Sequence, residues 1–282
     1  MSQSPILFHA RGDRTYVASV PFDGENGPAE VTCGLVVGSD GALLIDAGST
    51  PEQGRLLRLA AAQLTRVPLT SVILTHWHYD HSFGLLGTGA ATSIAHETVR
   101  QRLTGPEAAA ETVRLGLEPD SLGLPTRDVA VVAAVDLGGV RVEAVHLGRG
   151  HTDGDLVVVV SGSDVVFAGD LVESAGPPQY GPDSFPHEWP ATLDGLIGLT
   201  TERTVVQPGH GNPLDREAVF DQRGRVAAVS GEISRLAGLG VGLTDAESRG
   251  DWALPFAAVR AGYDAGCAQF RGAGPSRALP LV

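Results

Sequence analysis

The 282-residue chain contains no lysine; all 20 of its basic residues are arginine. That excludes Schiff-base catalysis and the lysine of a phosphate-binding loop in one step. Against those 20 stand 33 acidic residues, giving a formal charge of −13. No basic stripe is available to displace counterions from a nucleic acid, so no nucleic-acid partner is expected. Cysteine is scarce as well. Cys33 and Cys267 lie far apart, so a disulfide framework is not expected, and two buried thiols in a reducing cytoplasm is the simpler reading. Long apolar runs are missing. The longest, Val129–Val135, falls far short of the ~18 residues a membrane span needs, so no membrane partner is expected. The opening MSQSPILFHARGD has no basic start, no long apolar stretch and no small-residue cleavage site. No export signal is read there, and the expected location is cytoplasmic.

What is present suits a folded α/β protein: hydrophobic residues make up 43% and charged residues 19%, enough for a sizeable core. Strands are predicted at Thr15–Val20, Val31–Val37 and Ala42–Ile45, the last two joined by the turn Gly38-Ser39-Asp40-Gly41. A helix opens after Pro51, with Leu56, Leu57, Leu59, Ala60 and Leu64 at helical spacing, and the strand Ser71–Leu74 follows. The second half repeats the theme: Leu156–Val160, a Ser/Gly/Asp turn, Val165–Ala168, then an aspartate. Two related halves, each supplying one sheet, are therefore expected. Further helices are predicted over Pro190–Leu199 and Arg216–Leu239, with a strand at Thr204–Val206 between them. Thr104–Arg127 reads as a helical insertion. No linker marks a boundary, so residues 1–282 read as one domain, with a core over about 5–215 and a C-terminal helical extension over about 216–282. Trp252, Leu254, Phe256, Val259, Tyr263 and Phe270 there suit packing on the body or on a second copy, which makes a homodimer a candidate assembly.

The chemistry concentrates after strand ends. His76-Trp77-His78-Tyr79-Asp80-His81 follows the strand Ser71–Thr75; an extended chain would point His76 and His78 to one side, and a turn would bring Asp80 and His81 beside them. His151 in Gly150-His151-Thr152-Asp153-Gly154, Asp170 after Gly169, and His210 in Pro208-Gly209-His210-Gly211 each follow a predicted strand in a glycine-bearing loop. Imidazoles and carboxylates without thiolate suit a catalytic zinc, iron or manganese rather than a closed structural zinc. His9, His96 and His146 read as non-ligands. Asp46 ends the first hairpin, where a simple turn residue is one reading. The stretch GPPQYGPDSFPHEW (residues 176–189) follows Asp170 closely, which makes Tyr180, Phe185, His187 and Trp189 candidate walls of a substrate site.

The ordered set HWHYDH, GHTDGD, AGD and PGHG, spanning roughly Val31 to Gly211, resembles the metallo-β-lactamase superfamily. The resemblance implies an α/β fold, the four-layer αββα sandwich, with two metal ions at one sheet edge, most simply Zn2+, with iron or manganese as options. Carried over, His76, His78 and His151 would bind the first ion, Asp80, His81 and His210 the second, and Asp170 would bridge them; Asp46 resembles the family's structural aspartate, which implies support behind the metal loops. Two adjacent divalent ions bring a shared water toward neutral pKa and so supply hydroxide as nucleophile; Asp80 would orient it and shuttle its proton. The expected activity is hydrolysis of a small ester, lactone, thioester or amide. The basic glutathione site of glyoxalase II-like enzymes is not found, and the charge opposes the superfamily's tRNA-processing nucleases. The alternative is a mononuclear iron oxygenase of the persulfide dioxygenase kind, using His76, His151 and Asp170.

Overall fold

The computed structural model describes residues 5–24 and 27–272. Residues 1–4, 25–26 and 273–282, the last ten belonging to the expected C-terminal extension, lie outside the described residues. Seven strands form the first sheet: β1 (His9–Gly12), β2 (Thr15–Gly24), β3 (Gly27–Val37), β4 (Ala42–Ile45), β5 (Leu69–Ile73), β6 (Thr92–His96) and β7 (Arg127–Val129), paired in chain order. The first four pair antiparallel, and β4 to β7 run parallel. The parallel part requires crossovers. These contain α1 (Pro51–Leu64), the short turns α2 (Tyr79–Ser82) and α3 (Leu85–Thr88), then α4 (Glu97–Leu103) and α5 (Pro106–Arg114). Five strands form the second sheet: β8 (Val132–Asp136), β9 (Arg141–Val145), β10 (Val157–Val160), β11 (Val165–Gly169) and β12 (Val205–Pro208), in the order β12-β11-β10-β9-β8. Its helices are α6 (Trp189–Gly198), α7 (Arg216–Gly238), α8 (Leu243–Arg249), α9 (Phe256–Val259) and α10 (Tyr263–Gly272). Each half of the chain thus supplies one sheet.

Strand periodicity explains why the sheets stack. In β4, Leu43 and Ile45 face the second sheet, while Ala42 and Leu44 face the helices. In β11, Val165 and Phe167 point into the same central layer, and Val166 and Ala168 point outward to α6 and α7. Both faces of each sheet are covered, so these strands read as unbroken apolar runs rather than alternating ones. The three apolar layers make the αββα sandwich. Helix α1 starts where Thr50 accepts the Gln53 amide and Pro51 fills the first turn, which satisfies one orphan donor and presets the backbone.

One apolar run divides between the sheets, and one local expectation changes. The apolar run Val129–Val135 is not one element: Val129 ends β7 in the first sheet, and Val132 begins β8 in the second. Val131 and Val132 lie exposed at this crossing. The stretch Thr104–Arg127 is α-helical only over Pro106–Arg114, with a single 3-10 turn at Pro119–Ser121, because Gly116, with φ at 65°, together with Gly123 and Pro125, does not continue a helix. Among the described residues no helix is long and apolar enough to cross a membrane.

Candidate metal centre

Four loops at one end of the strands bring seven side chains together. One ligand atom each from His76, His78, His151 and Asp170 lie within 4.8 Å of one another, and Asp80, His81 and His210 form a second such group. After β5 the chain bends at Thr75–Trp77 instead of staying extended, yet His76 and His78 still converge, with Nε2 and Nδ1 3.1 Å apart. The Ser82 hydroxyl donates to the Trp77 and His78 carbonyls, closing the turn that carries Asp80 and His81 around. Asp170 stands between the groups. Its Oδ2 is 3.5 Å from His151 Nε2 and 3.3 Å from His210 Nε2, and its Oδ1 is 3.2 Å from His81 Nε2. Asp80 Oδ2 lies 3.2 Å from His210 Nε2.

The donor set fits divalent cations on two grounds. First, every imidazole has its other ring N–H engaged. His76 Nδ1–H points to the Thr75 hydroxyl, which in turn donates to Asp46. His78 Nε2–H points to Asp183, His151 Nδ1–H to the Gln179 carbonyl, His81 Nδ1–H to Asp46 and His210 Nδ1–H to the Glu30 carbonyl. Each tautomer is thereby fixed so that the converging nitrogens carry lone pairs, the arrangement of metal-binding histidines. Second, Asp170 Oδ1 is buried without a hydrogen-bond partner, a costly state unless a cation meets it. Electrostatics divide the five imidazoles: against their burial, nearby carboxylates raise His78, His81 and His210, so a cation binding there displaces protons, whereas His76 and His151 stay neutral. Burial, reinforced by the neighbouring His81, keeps His76 neutral well below its ordinary pKa. Burial and His78 push His151 down to about 4. Burial opposes charge on Asp170, but His210 and His81 hold its carboxyl well below the usual range, so it is anionic.

Asp46 follows β4 at φ 62°, a left-handed conformation that aspartate tolerates better than most residues. There its two oxygens take the Thr75 amide, the Thr75 hydroxyl and His81. Asp46→Asn leaves the backbone free to keep that conformation but aims an amide N–H where an acceptor is needed. Metal affinity is expected to fall about tenfold or more, read by chelator competition.

Of the four wall candidates, only Phe185 lines the cleft over the two groups. Tyr180 and Trp189 are core residues, 2% and 0% exposed. Their rings pack on each other, and Trp189 donates to the Leu171 carbonyl beneath His151. The reason is the descent of the 176–189 stretch into α6, where large aromatic rings gain more from burial than from the mouth. His187 is tied instead to helices: Nε2–H donates to the Gly266 carbonyl, and Nδ1 accepts from Ser230. Trp189→Ala is expected to lower unfolding free energy by about 3–5 kcal/mol in denaturant titration. His96 and His146 stack on each other with ring centroids 4.2 Å apart, and His9 lies on β1. The cleft, about 760 Å³, is also bounded by Trp77, Tyr79, Arg102, Glu107, Glu111 and Asp183. Asp183, Gln179 and Thr75 were not singled out by sequence. Asp183 stood in the noted stretch, but only its aromatic and histidine neighbours carried a recognisable signal.

The family model for the metallo-β-lactamase superfamily matches residues 26–221. The chain belongs to the metallo-β-lactamase superfamily. It is 27% identical over 198 residues to the metallo-β-lactamase type 2 of Bacillus cereus, covering 69% of this chain and 72% of that relative. It is also 27% identical over 177 residues to the β-lactamase-like protein 2 homolog of Drosophila melanogaster, covering 61% and 56%. The fold superposes on a metallo-β-lactamase from Pontibacter korlensis with a TM-score of 0.67 at 20% identity, over 79% of this chain and 99% of that one. The metallo-β-lactamase FIM-1 from Pseudomonas aeruginosa, in a mono-zinc form, gives the same TM-score at 18% identity, over 81% and 98%. Members of this superfamily bind metal ions, typically zinc, and this chain is a metal-dependent hydrolase among them.

Proposed function

We propose that the chain is a dinuclear hydrolase, most simply a zinc enzyme, that cleaves a small ester, lactone, thioester or amide. His76, His78 and His151 would hold one ion, Asp80, His81 and His210 the other, and Asp170 would serve both. The observation that carries this is the completeness of both donor groups around the unpartnered oxygen of Asp170. Bound divalent ions would supply Lewis acidity and a water acidified toward neutrality. The protein residues do the rest. Asp80, held below the usual carboxylate range against its burial by His81 and His210, lies at the cleft floor and can accept a proton from an attacking water. The Tyr79 phenol is pushed up to about 12 by burial and by Asp80, so it stays protonated and can donate to a substrate oxygen. Trp77 and Phe185 supply apolar wall that excludes water.

The cleft favours an uncharged or cationic substrate. Glu107, Glu111 and Asp183 line it, and its one lining arginine, Arg102, is held by Asp153 at 2.6 Å. Away from the metal groups a polyanion would meet these carboxylates rather than a basic surface. The mononuclear oxygenase reading leaves Asp80, His81 and His210 without a purpose and is not favoured. Both cysteines are buried and free, which suits the proposed cytoplasmic location. The test is metal quantification on the purified protein, coupled to a panel of lactones, thioesters, aryl esters, amides and phosphodiesters. Turnover of an ester, lactone, thioester or amide is expected. Silence on all of these with strong phosphodiester cleavage would overturn the reading.

A further inference from the structure

We propose that Asp183 is a positioning residue for the first metal group. Its carboxylate holds the His78 ring so that Nδ1 faces His76 and His151, and the C-terminal helices hold Asp183 in place. This rests on the metal reading above. His78 differs from the other four imidazoles. It turns Nδ1 inward, 3.1 Å from His76 Nε2 and 2.9 Å from His151 Nε2, and so its Nε2 faces outward, where no backbone carbonyl receives it. Asp183 Oδ2 takes it at 3.3 Å and also accepts the Trp77 indole N–H at 2.7 Å. Only 11% of the Asp183 side chain is exposed, and among the described residues no arginine pairs with it. A buried carboxylate without a cationic side chain is costly. Its cost is offset if it orients an imidazole and raises the basicity of the nitrogen that binds a metal.

Asp183 comes from a segment that serves the site twice, because Gln179 four residues earlier fixes the His151 tautomer through its carbonyl. The props of that segment come from beyond the region matched by the family model. Tyr180 N–H donates to the Ala258 carbonyl at the end of α9, and the Gln269 side chain on α10 donates to the Ser184 carbonyl. His187 joins the end of the segment to Ser230 on α7 and Gly266 on α10. At Gly262 a Cβ would come within 2.7 Å of Tyr180 Cβ, so the extension and the segment meet with no room to spare. The extension therefore belongs to the metal site rather than to an appended domain.

The test uses Co2+ as a spectroscopic probe on the full chain, stripped of metal and titrated against a chelator. Asp183→Ala is expected to weaken the tighter Co2+ by about 10–100-fold and to change its visible bands, while metal-free protein melts at the wild-type temperature. Asp183→Asn, which can still offer one oxygen to both donors, should lose less. His187→Ala should move affinity in the same direction by about threefold or more, through the props alone. A Co2+ constant for Asp183→Ala within twofold of wild type, with His151→Ala clearly impaired, would overturn the positioning role and leave the metal reading intact. If His151→Ala also bound normally, the metal reading itself would fall. An unchanged constant in His187→Ala would overturn the part given to the C-terminal helices. Should Asp183→Ala fail to fold, Asp183→Asn decides: a weakened constant supports the role, and an unchanged constant with unchanged bands overturns it.

Discussion

His151→Ala is expected to lose one metal ion per chain and to lower kcat by about a thousandfold or more. His151 is the only member of the first group carried by the second sheet's β9–β10 loop together with a carbonyl-fixed tautomer. Its ring also packs at right angles to His76 and His78. Removing it leaves two imidazoles and a carboxylate, which is enough to catch an ion loosely but not to fix it. A bound cation is worth several kcal/mol to the charge developing on a scissile carbonyl, and each 1.36 kcal/mol is tenfold in rate. Atomic absorption on the dialysed variant, with kinetics on the best substrate of the panel, measures both quantities. Full activity with fewer ions per chain would remove His151 from the role assigned to it.

Gly209→Ala should be almost as damaging although it deletes no donor. A Cβ there would fall 1.9 Å from Asp170 Oδ1 and 2.9 Å from His81 Cε1. The backbone cannot retreat, since Gly209 N–H donates to the Gly169 carbonyl and its own carbonyl receives Thr32 N–H at 2.7 Å. Asp170 must therefore move by an ångström or more, and a displacement of that size is worth about a hundredfold in rate. The expected result is fewer than two ions per chain and at least that loss of kcat. Gly224→Ala on α7, where nothing lies within 4 Å, serves as control and should be neutral or stabilising by about 0.5–1 kcal/mol.

Three residues of the two clusters were legible in the sequence because each closely follows a strand. A strand's end is fixed by its apolar run, and a glycine or turn beside it sets where the next side chain goes. His76, Asp170 and His210 are of this kind. The same logic exposed Asp46, whose place after Ile45 matters more than its neighbours. The two sheets were legible from the two hairpins, since β3–β4 and β10–β11 each lead to an aspartate, whereas the four-layer order was implied only by the family resemblance. Asp183 was not legible. Its partners Trp77 and His78 lie more than a hundred positions earlier, and no local pattern marks a carboxylate that will face an imidazole across a cleft. Tyr180 and Trp189 were misplaced for a related reason: an aromatic near a site fills a core or a wall equally well until the chain's depth is known. The β7–β8 crossing was not read at all, because seven consecutive apolar residues give no sign of the point where the chain leaves one sheet for the other.

The most direct measurement is anomalous diffraction at the zinc edge from crystals grown with Zn2+. Two peaks are expected about 3.5–4 Å apart, one among His76, His78 and His151, the other among Asp80, His81 and His210, with Asp170 reaching both. One peak alone, or peaks elsewhere with these seven side chains left without a cation, would contradict the account.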